Sequence, residues 1–349
     1  MNKKKLIWAV VSVFIAAFTI WSVTSQNKSF SFAHFFGFVL NSNKLWLMGA
    51  ALCMFGFIWF EGCAIVCIVK SLGYKVSNEK GTVYSAADVY FSAITPSASG
   101  GQPASAFFMI KDKIPVSVVT VVLIYNLIMY TLALLGTGIF FMAFRFSVFL
   151  KFSTISKILI VVGMFIILFL ALMFYLLFKH ERILHIICDK CLHVMHKIRI
   201  VRNIGKKREK LQQTISNYRQ CATCLNGKKD IFVKAFLFNL LQRISQFGVA
   251  FMVFMATGVK FADSIKVVAI QGFVSLGSNC VPIPGAMGVA DYLMLDGYGQ
   301  ILTSEVATNT ELLCRSMSFY GCIIVSALIV LTRLILLRIR SKTRSRIEV

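Results

Sequence analysis

Two short polar segments interrupt long apolar runs, and their residue types suggest chemistry. The first is Thr95-Pro96-Ser97-Ala98-Ser99-Gly100-Gly101-Gln102-Pro103. Gly100 and Gly101 permit close backbone approach, and the prolines are expected to stop the flanking helices. Thr95, Ser97, Ser99 and Gln102 add neutral polar groups. Free N–H groups at a half-helix start there would favour an anion such as a phosphate. The plainer reading is a Pro/Gly turn that only reverses the chain. The second segment, Ser278 to Gly288, carries Pro282, Pro284, Gly285 and Gly288, followed by Asp291 in an apolar arm. An ionisable residue at membrane depth is expensive and needs a partner. Glu61, Asp88, Arg243, Glu311 and Arg315 raise the same question, with Asp88 and Glu311 expected near the interface. Arg243 and Arg315 could pair with Asp291 or Glu61, or hold a lipid phosphate.

Other candidate chemistry is weaker. His185, Cys188, Cys191, His193 and His196, with a second C-x-x-C pair at Cys221 and Cys224, superficially suggest a metal centre. The first pair lies in a basic helical stretch where cysteines three apart can simply pack, and no glycine knuckle follows either pair. This stretch reads as amphipathic helix on an anionic leaflet, so no metal or other cofactor is expected. There is no Walker A, G-x-S-x-G or H-E-x-x-H pattern and no G-x-G-x-x-G opening a βαβ unit. No catalytic residue is assigned, and ATP-driven transport by this chain alone is not expected.

The elements that must position these residues follow from composition. Of 349 residues, 58% are hydrophobic, 15% are charged and 32 are Phe; mean hydropathy is +0.77. A soluble domain would carry about a quarter charged residues. The fold class is therefore an all-α polytopic membrane protein. Six runs can cross a bilayer: 6–24, 45–69, 116–144, 154–178, 231–257 and 312–337. The first follows Lys3, Lys4 and Lys5 and reads as an uncleaved span rather than a signal peptide. The ten Cys are scattered, several inside apolar runs (Cys53, Cys63, Cys67, Cys280), and define no disulfide framework. The net charge of +23 lies between and after the spans, which suits anionic headgroups and gives no reason to expect nucleic acid binding.

The Lys/Arg bias places both termini, residues 70–115 and the strongly basic segment 179–230 in the cytoplasm, and residues 25–44 outside. Residues 84–110 and 267–302 each show two short apolar arms around a Pro/Gly/Ser centre. Irregular backbone survives at membrane depth only when buried in protein or lining a wet cavity, so both read as re-entrant hairpins. The whole chain then forms one membrane domain of two half-repeats, 1–144 and 154–337, inverted relative to each other, with a basic tail at 338–349.

Ile94 to Pro103 resembles the Thr-Pro-small-x-x-Gly-Gly-Gln/Glu-Pro segment of the lysylphosphatidylglycerol synthase transmembrane, or flippase-like, family. Pro282 to Asp291 resembles its second motif, Pro-x-Pro-Gly-Gly-x-Gly-x-x-Glu, with Ala286 for the second glycine and Asp291 for glutamate. Arg315 falls where that family tends to carry an arginine in its last span. The resemblance implies the membrane region of the multiple peptide resistance factors. There it accompanies a soluble domain that moves lysine from lysyl-tRNA onto phosphatidylglycerol. The chain stops at Val349, soon after its last apolar run, so no such domain is expected here. The resemblance then implies translocation of an anionic or aminoacylated phospholipid across a bacterial inner membrane, with phospholipids as partners and a lipid-synthesising enzyme as a further candidate partner. Phosphatidylglycerol lysyltransferase activity is the competing reading, and a lipid-binding or synthase-binding scaffold is the third. Single-cysteine labelling in intact cells should place residues 190–225 and the tail inside and residues 28–42 outside; external labelling of 190–225 would overturn this topology.

Overall fold

The computed structural model describes residues 32–95, 99–179, 220, 222–225, 227–279, 281, 286 and 288–347. The expected span at 6–24 and the Cys/His-rich segment at 185–196 lie outside them. Every regular element among the described residues is a helix. A short helix α1 (Phe32–Asn41) precedes α2 (Lys44–Ser71). Then come α3 (Asn78–Ile94), α4 (Gly101–Lys111), α5 (Val116–Phe144), α6 (Phe146–Leu150) and α7 (Thr154–Lys179). After the basic segment follow α8 (Lys229–Ala256), α9 (Phe261–Ser278), α10 (Val289–Tyr298) and α11 (Ser304–Arg315). A π-helical stretch, Ser316–Gly321, joins α11 to α12 (Cys322–Ile347).

Five helical stretches are long and apolar enough to cross a bilayer: Lys44–Ser71, Val116–Phe144, Thr154–Leu176, Lys229–Ala256 and Ser304–Leu337. The chain is thus an all-α, multi-pass membrane protein. The last helix starts about two turns before the apolar run from residue 312, because its first turns, with Ser304, Glu305 and Thr308, are polar and invisible to hydropathy.

Helices α2 and α8 form an antiparallel central pair. Asn43 N–H at the start of α2 donates to Ala256 O at the end of α8 (2.8 Å). At the other end Lys228 Nζ donates to Ser71 O (3.0 Å). Small residues let the pair approach: a Cβ on Gly56 would stand 3.0 Å from Ser245 Oγ, and one on Gly248 3.0 Å from Cys53 Sγ.

Against this pair lie two helix–break–helix units. In the first, α3 and α4 pack together and on α2, α5 and α12. Ser77 caps α3 by accepting from Lys80 N–H (3.4 Å). The far end is clasped by Asp112, just past α4, which accepts from Tyr84 Oη (2.7 Å) and Arg333 and has Lys80 Nζ at 3.4 Å. In the second unit, α9 and α10 pack on α5, α7, α8 and α11. Asp296 accepts from Ser153 N–H (2.9 Å), tying α10 to the α6–α7 link.

The apolar core is divided in two. One cluster gathers Ile58 to Val69 of α2, α3, Val118 to Met129 of α5 and Ala235 of α8; the other gathers Leu134 and Leu135 of α5, α7, Val249 to Phe254 of α8, α9 and α10. Along α5 and α8 the change of cluster falls at polar residues: Tyr130 and Thr131 on one, Asn239, Gln242 and Arg243 on the other. Arg243 is the fifteenth of the 28 residues of α8 and Tyr130 the fifteenth of the 29 of α5. A polar layer therefore crosses the middle of the bundle.

Gly62 of α2 and Gly81 of α3 put backbone against backbone: a Cβ on Gly81 would meet Gly62 O at 2.5 Å. Gly81→Ala should lower stability against thermal unfolding in detergent by about 1–3 kcal/mol. Gly136→Ala, whose Cβ has its nearest neighbour at 4.0 Å, should be tolerated; equal tolerance of both would show that the α2–α3 contact is not tight.

Candidate functional site

The first break begins where α3 ends. Thr95 Oγ1 donates to Phe91 O (2.6 Å) and accepts from Gly100 N–H (2.9 Å), so one hydroxyl closes the last turn of α3 and holds the turn before α4. Gly100 leads into Gly101, Gln102 and Pro103, the first turn of α4. Pro103 sits inside that turn rather than ending a helix, because first-turn N–H groups lack intrahelical partners in any case. A Cβ on Gly101 would fall on the Asp88 carboxylate and the Ser92 hydroxyl. The diglycine thus brings the hairpin's own arms together. Gln102 Nε2 donates to Asp88 Oδ2 (3.0 Å) and Ser92 Oγ to Asp88 Oδ1 (3.2 Å). Ser99 is exposed, and Ser97 lies outside the described residues.

Asp88 is within hydrogen-bonding reach of Glu61 on α2. Glu61 Oε2 also accepts from Ser85 Oγ (2.8 Å) and from Gln242 Nε2 of α8 (3.1 Å). The next residue on α8 is Arg243. Its guanidinium carbon lies 4.4 Å from the Tyr130 ring centroid and 5.2 Å from that of Phe57. Nη1 donates to Gln246 Oε1 (2.7 Å) and more weakly to Tyr130 Oη (3.4 Å). Tyr130 Oη in turn donates to Asn279 Oδ1 (2.9 Å), the residue at which α9 gives way to the second break. Two polar sets, one from the first break to Gln242 and one from Arg243 through Tyr130 to the exposed Asn279 at the second break, therefore adjoin along α8.

Past the second break, Gly288 takes φ +81° as the N-cap of α10, a conformation suited to glycine. Its N–H donates to Asp291 Oδ2 (2.8 Å), so Asp291 caps the helix from its third position. Ala286 has φ +50°; the position that departs from glycine thus holds a left-handed conformation that glycine would adopt freely. Asp291 Oδ1 lies against Arg315 Nε as an ion pair not aligned as a hydrogen bond, and Glu311 Oε1 is 3.9 Å from the same nitrogen. Arg315 also lies over the Phe319 ring at 5.1 Å, within the π-helical stretch. Pro282, Pro284 and Gly285 fall outside the described residues.

Of the sequence candidates, Arg315 pairs with Asp291, whereas Arg243 has no carboxylate at ion-pair distance among the described residues. Asp88 is half-buried and Glu311 is fully buried within the bundle. Asp88 is the eleventh residue of the hairpin arm α3 and meets Glu61 of α2, and Glu311 lies one turn before Arg315 on α11. Sequence reasoning missed Ser85, Tyr130, Gln242, Gln246 and Asn279. The only signal for them was a run of amides around Arg243 inside an apolar span.

Over residues 7–326 the sequence matches the family described as the lysylphosphatidylglycerol synthase transmembrane region. The chain belongs to this family. As a lysylphosphatidylglycerol synthase transmembrane region protein, it is a membrane protein associated with lysylphosphatidylglycerol metabolism or transport, and phospholipid is the class of molecule it meets. No curated protein matches the sequence. Among the described residues no group of His, Cys, Asp and Glu is arranged to hold a metal ion.

The Asp291–Arg315 pair has a direct test. Arg315→Ala leaves two buried carboxyl groups without their cation and should cost about 3–5 kcal/mol in detergent. Adding Asp291→Asn, which keeps an oxygen for the Gly288 N–H, should restore part of that stability; strictly additive losses would show that the pair is not coupled.

Proposed function

We propose that this protein translocates an anionic or aminoacylated phospholipid across the bacterial cytoplasmic membrane, passing the headgroup between the two helix breaks while the acyl chains stay in the bilayer. The observation that carries this reading is the polar chain from Gln102 through Asp88, Glu61 and Gln242, and on through Arg243 and Tyr130 to Asn279. It runs at mid-span between two apolar clusters. Buried polar groups are costly in hydrocarbon and mark substrate paths more often than lipid-facing surface.

The architecture supports the reading. The order span, hairpin, span over α2 to α5 recurs over α8 to α12, with α2 and α8 antiparallel. The first hairpin's α3 packs on α12, the last span, while the second hairpin's α9 packs on α5, the last span of the first half. Such exchanged packing is what an inverted repeat over 1–144 and 154–337 produces, and inverted repeats place their broken helices around a midplane substrate site.

The test is headgroup accessibility in reconstituted vesicles. Headgroup-labelled phosphatidylglycerol in the inner leaflet should become accessible to an external quencher faster with the protein than without it. Gly101→Val, which pushes Asp88 and Ser92 aside, should insert normally but slow this exchange by about tenfold or more. Equal exchange in protein-free and protein-containing vesicles would refute translocation.

A further inference from the structure

The two buried arginines differ in how they are neutralised. Arg315 lies beside Asp291 and Glu311. Arg243 is 1% exposed, yet its Nε and Nη2 find no hydrogen-bond acceptor among the described residues. These two nitrogens form one edge of the guanidinium, the edge whose parallel N–H bonds match two oxygens of a phosphate or carboxylate. The opposite side is held: Nη1 is fixed by Gln246, and Tyr130 and Phe57 flank the plane. The nearby acid, Glu61, is already bonded to Ser85 and Gln242. One helical turn away, Asn239 is fully buried and its Oδ1 also lacks a partner, while its Nδ2 is fixed by Asn126 Oδ1 (3.1 Å) and Ala235 O (2.9 Å). Residues four apart share a helix face. A buried cationic edge and a buried neutral acceptor thus stand one turn apart on the same side of α8.

We propose that Arg243 is the receptor for a phosphate oxyanion, held side-on by Nε and Nη2, and that Asn239 Oδ1 accepts from a hydroxyl or ammonium carried by the same headgroup. The inference rests on the lipid-translocation reading for its setting but names the ligand chemistry independently. A buried, unpaired guanidinium edge is a costly arrangement, and an oxyanion that enters between the hairpins removes that cost. The same pair accepts phosphatidylglycerol and its aminoacylated form alike, because both keep the phosphodiester and both carry a donor. Arg315, already facing two acids, holds the second hairpin to α11 instead.

The full chain in neutral detergent is titrated with dihexanoyl phosphatidylglycerol, with inorganic phosphate and with phosphate-free dihexanoylglycerol, and binding is read from the rise in unfolding temperature. Wild type should respond to the two phosphates and not to dihexanoylglycerol. Saturation at lower concentration by the lipid marks a headgroup site, and by the free ion a phosphate site. Arg243→Lys keeps the charge and most of the stem but loses the fork; it should fold and bind about tenfold more weakly, a loss of 1.4 kcal/mol. Arg243→Gln should abolish the response. Lys75→Ala, on an exposed basic turn, should leave it unchanged. Wild-type affinity in Arg243→Lys, or an equal response to dihexanoylglycerol, overturns the assignment. Binding that depends on Arg243 in a protein that moves no lipid would sink translocation and leave the anion site standing. Lipid movement with unaltered binding in Arg243→Lys would do the reverse.

Discussion

A bilayer offers no water to the groups inside it, so each polar atom at mid-depth must be satisfied by the protein or by what the protein carries. That constraint organises the bundle. The apolar clusters on either side of the polar layer supply packing, but the layer fixes which helix faces meet. Glu61 draws together α2, α3 and α8 by accepting from Ser85 and Gln242. Tyr130 draws together α5, α8 and α9 by its bonds to Arg243 and Asn279. Rotating any of these helices would strand a carboxylate, an amide or a guanidinium in hydrocarbon.

The breaks in the hairpins follow from the same rule. A helix that stops inside the bundle exposes backbone groups, and here side chains take them up: Thr95 serves the turn between α3 and α4, and Asp291 serves the start of α10. Glycine is what lets these caps operate at close quarters. Gly101 admits the Asp88 carboxylate beside the backbone of α4, and Gly288 supplies the left-handed turn ahead of α10. The outer ends are secured by carboxylates as well, Asp112 on Tyr84 and Arg333, and Asp296 on Ser153. Both helix–break–helix units are thus tied by carboxylates at the ends away from their breaks.

The π-helical stretch after Arg315 belongs to this picture. A wider turn inserts a residue into the helix and is common at functional positions. Here it separates Arg315, turned toward Asp291 and Glu311, from Cys322, which packs with the first hairpin's cluster. One helix thereby serves the second hairpin with its first half and the first hairpin with its second half.

Hydropathy and Lys/Arg placement made the membrane class, five of the described spans and the position of both breaks legible in the sequence, because lipid imposes a length and a composition on anything that crosses it. The Thr95–Pro103 motif carried the family resemblance for a related reason: only glycine, proline and small polar residues build a break there. Partnership was not legible. Arg243 and Arg315 look alike in sequence, each an arginine in or at the edge of an apolar run. Which of them meets a carboxylate depends on helix rotation and on contacts between residues more than 20 positions apart, Asp291 with Arg315 and Glu61 with Gln242. The burial of Glu311 was hidden too, since a polar helix start carries no hydropathy signal. Tertiary packing alone decided that, among the described residues, Arg315 meets a carboxylate while Nε and Nη2 of the buried Arg243 meet no acceptor.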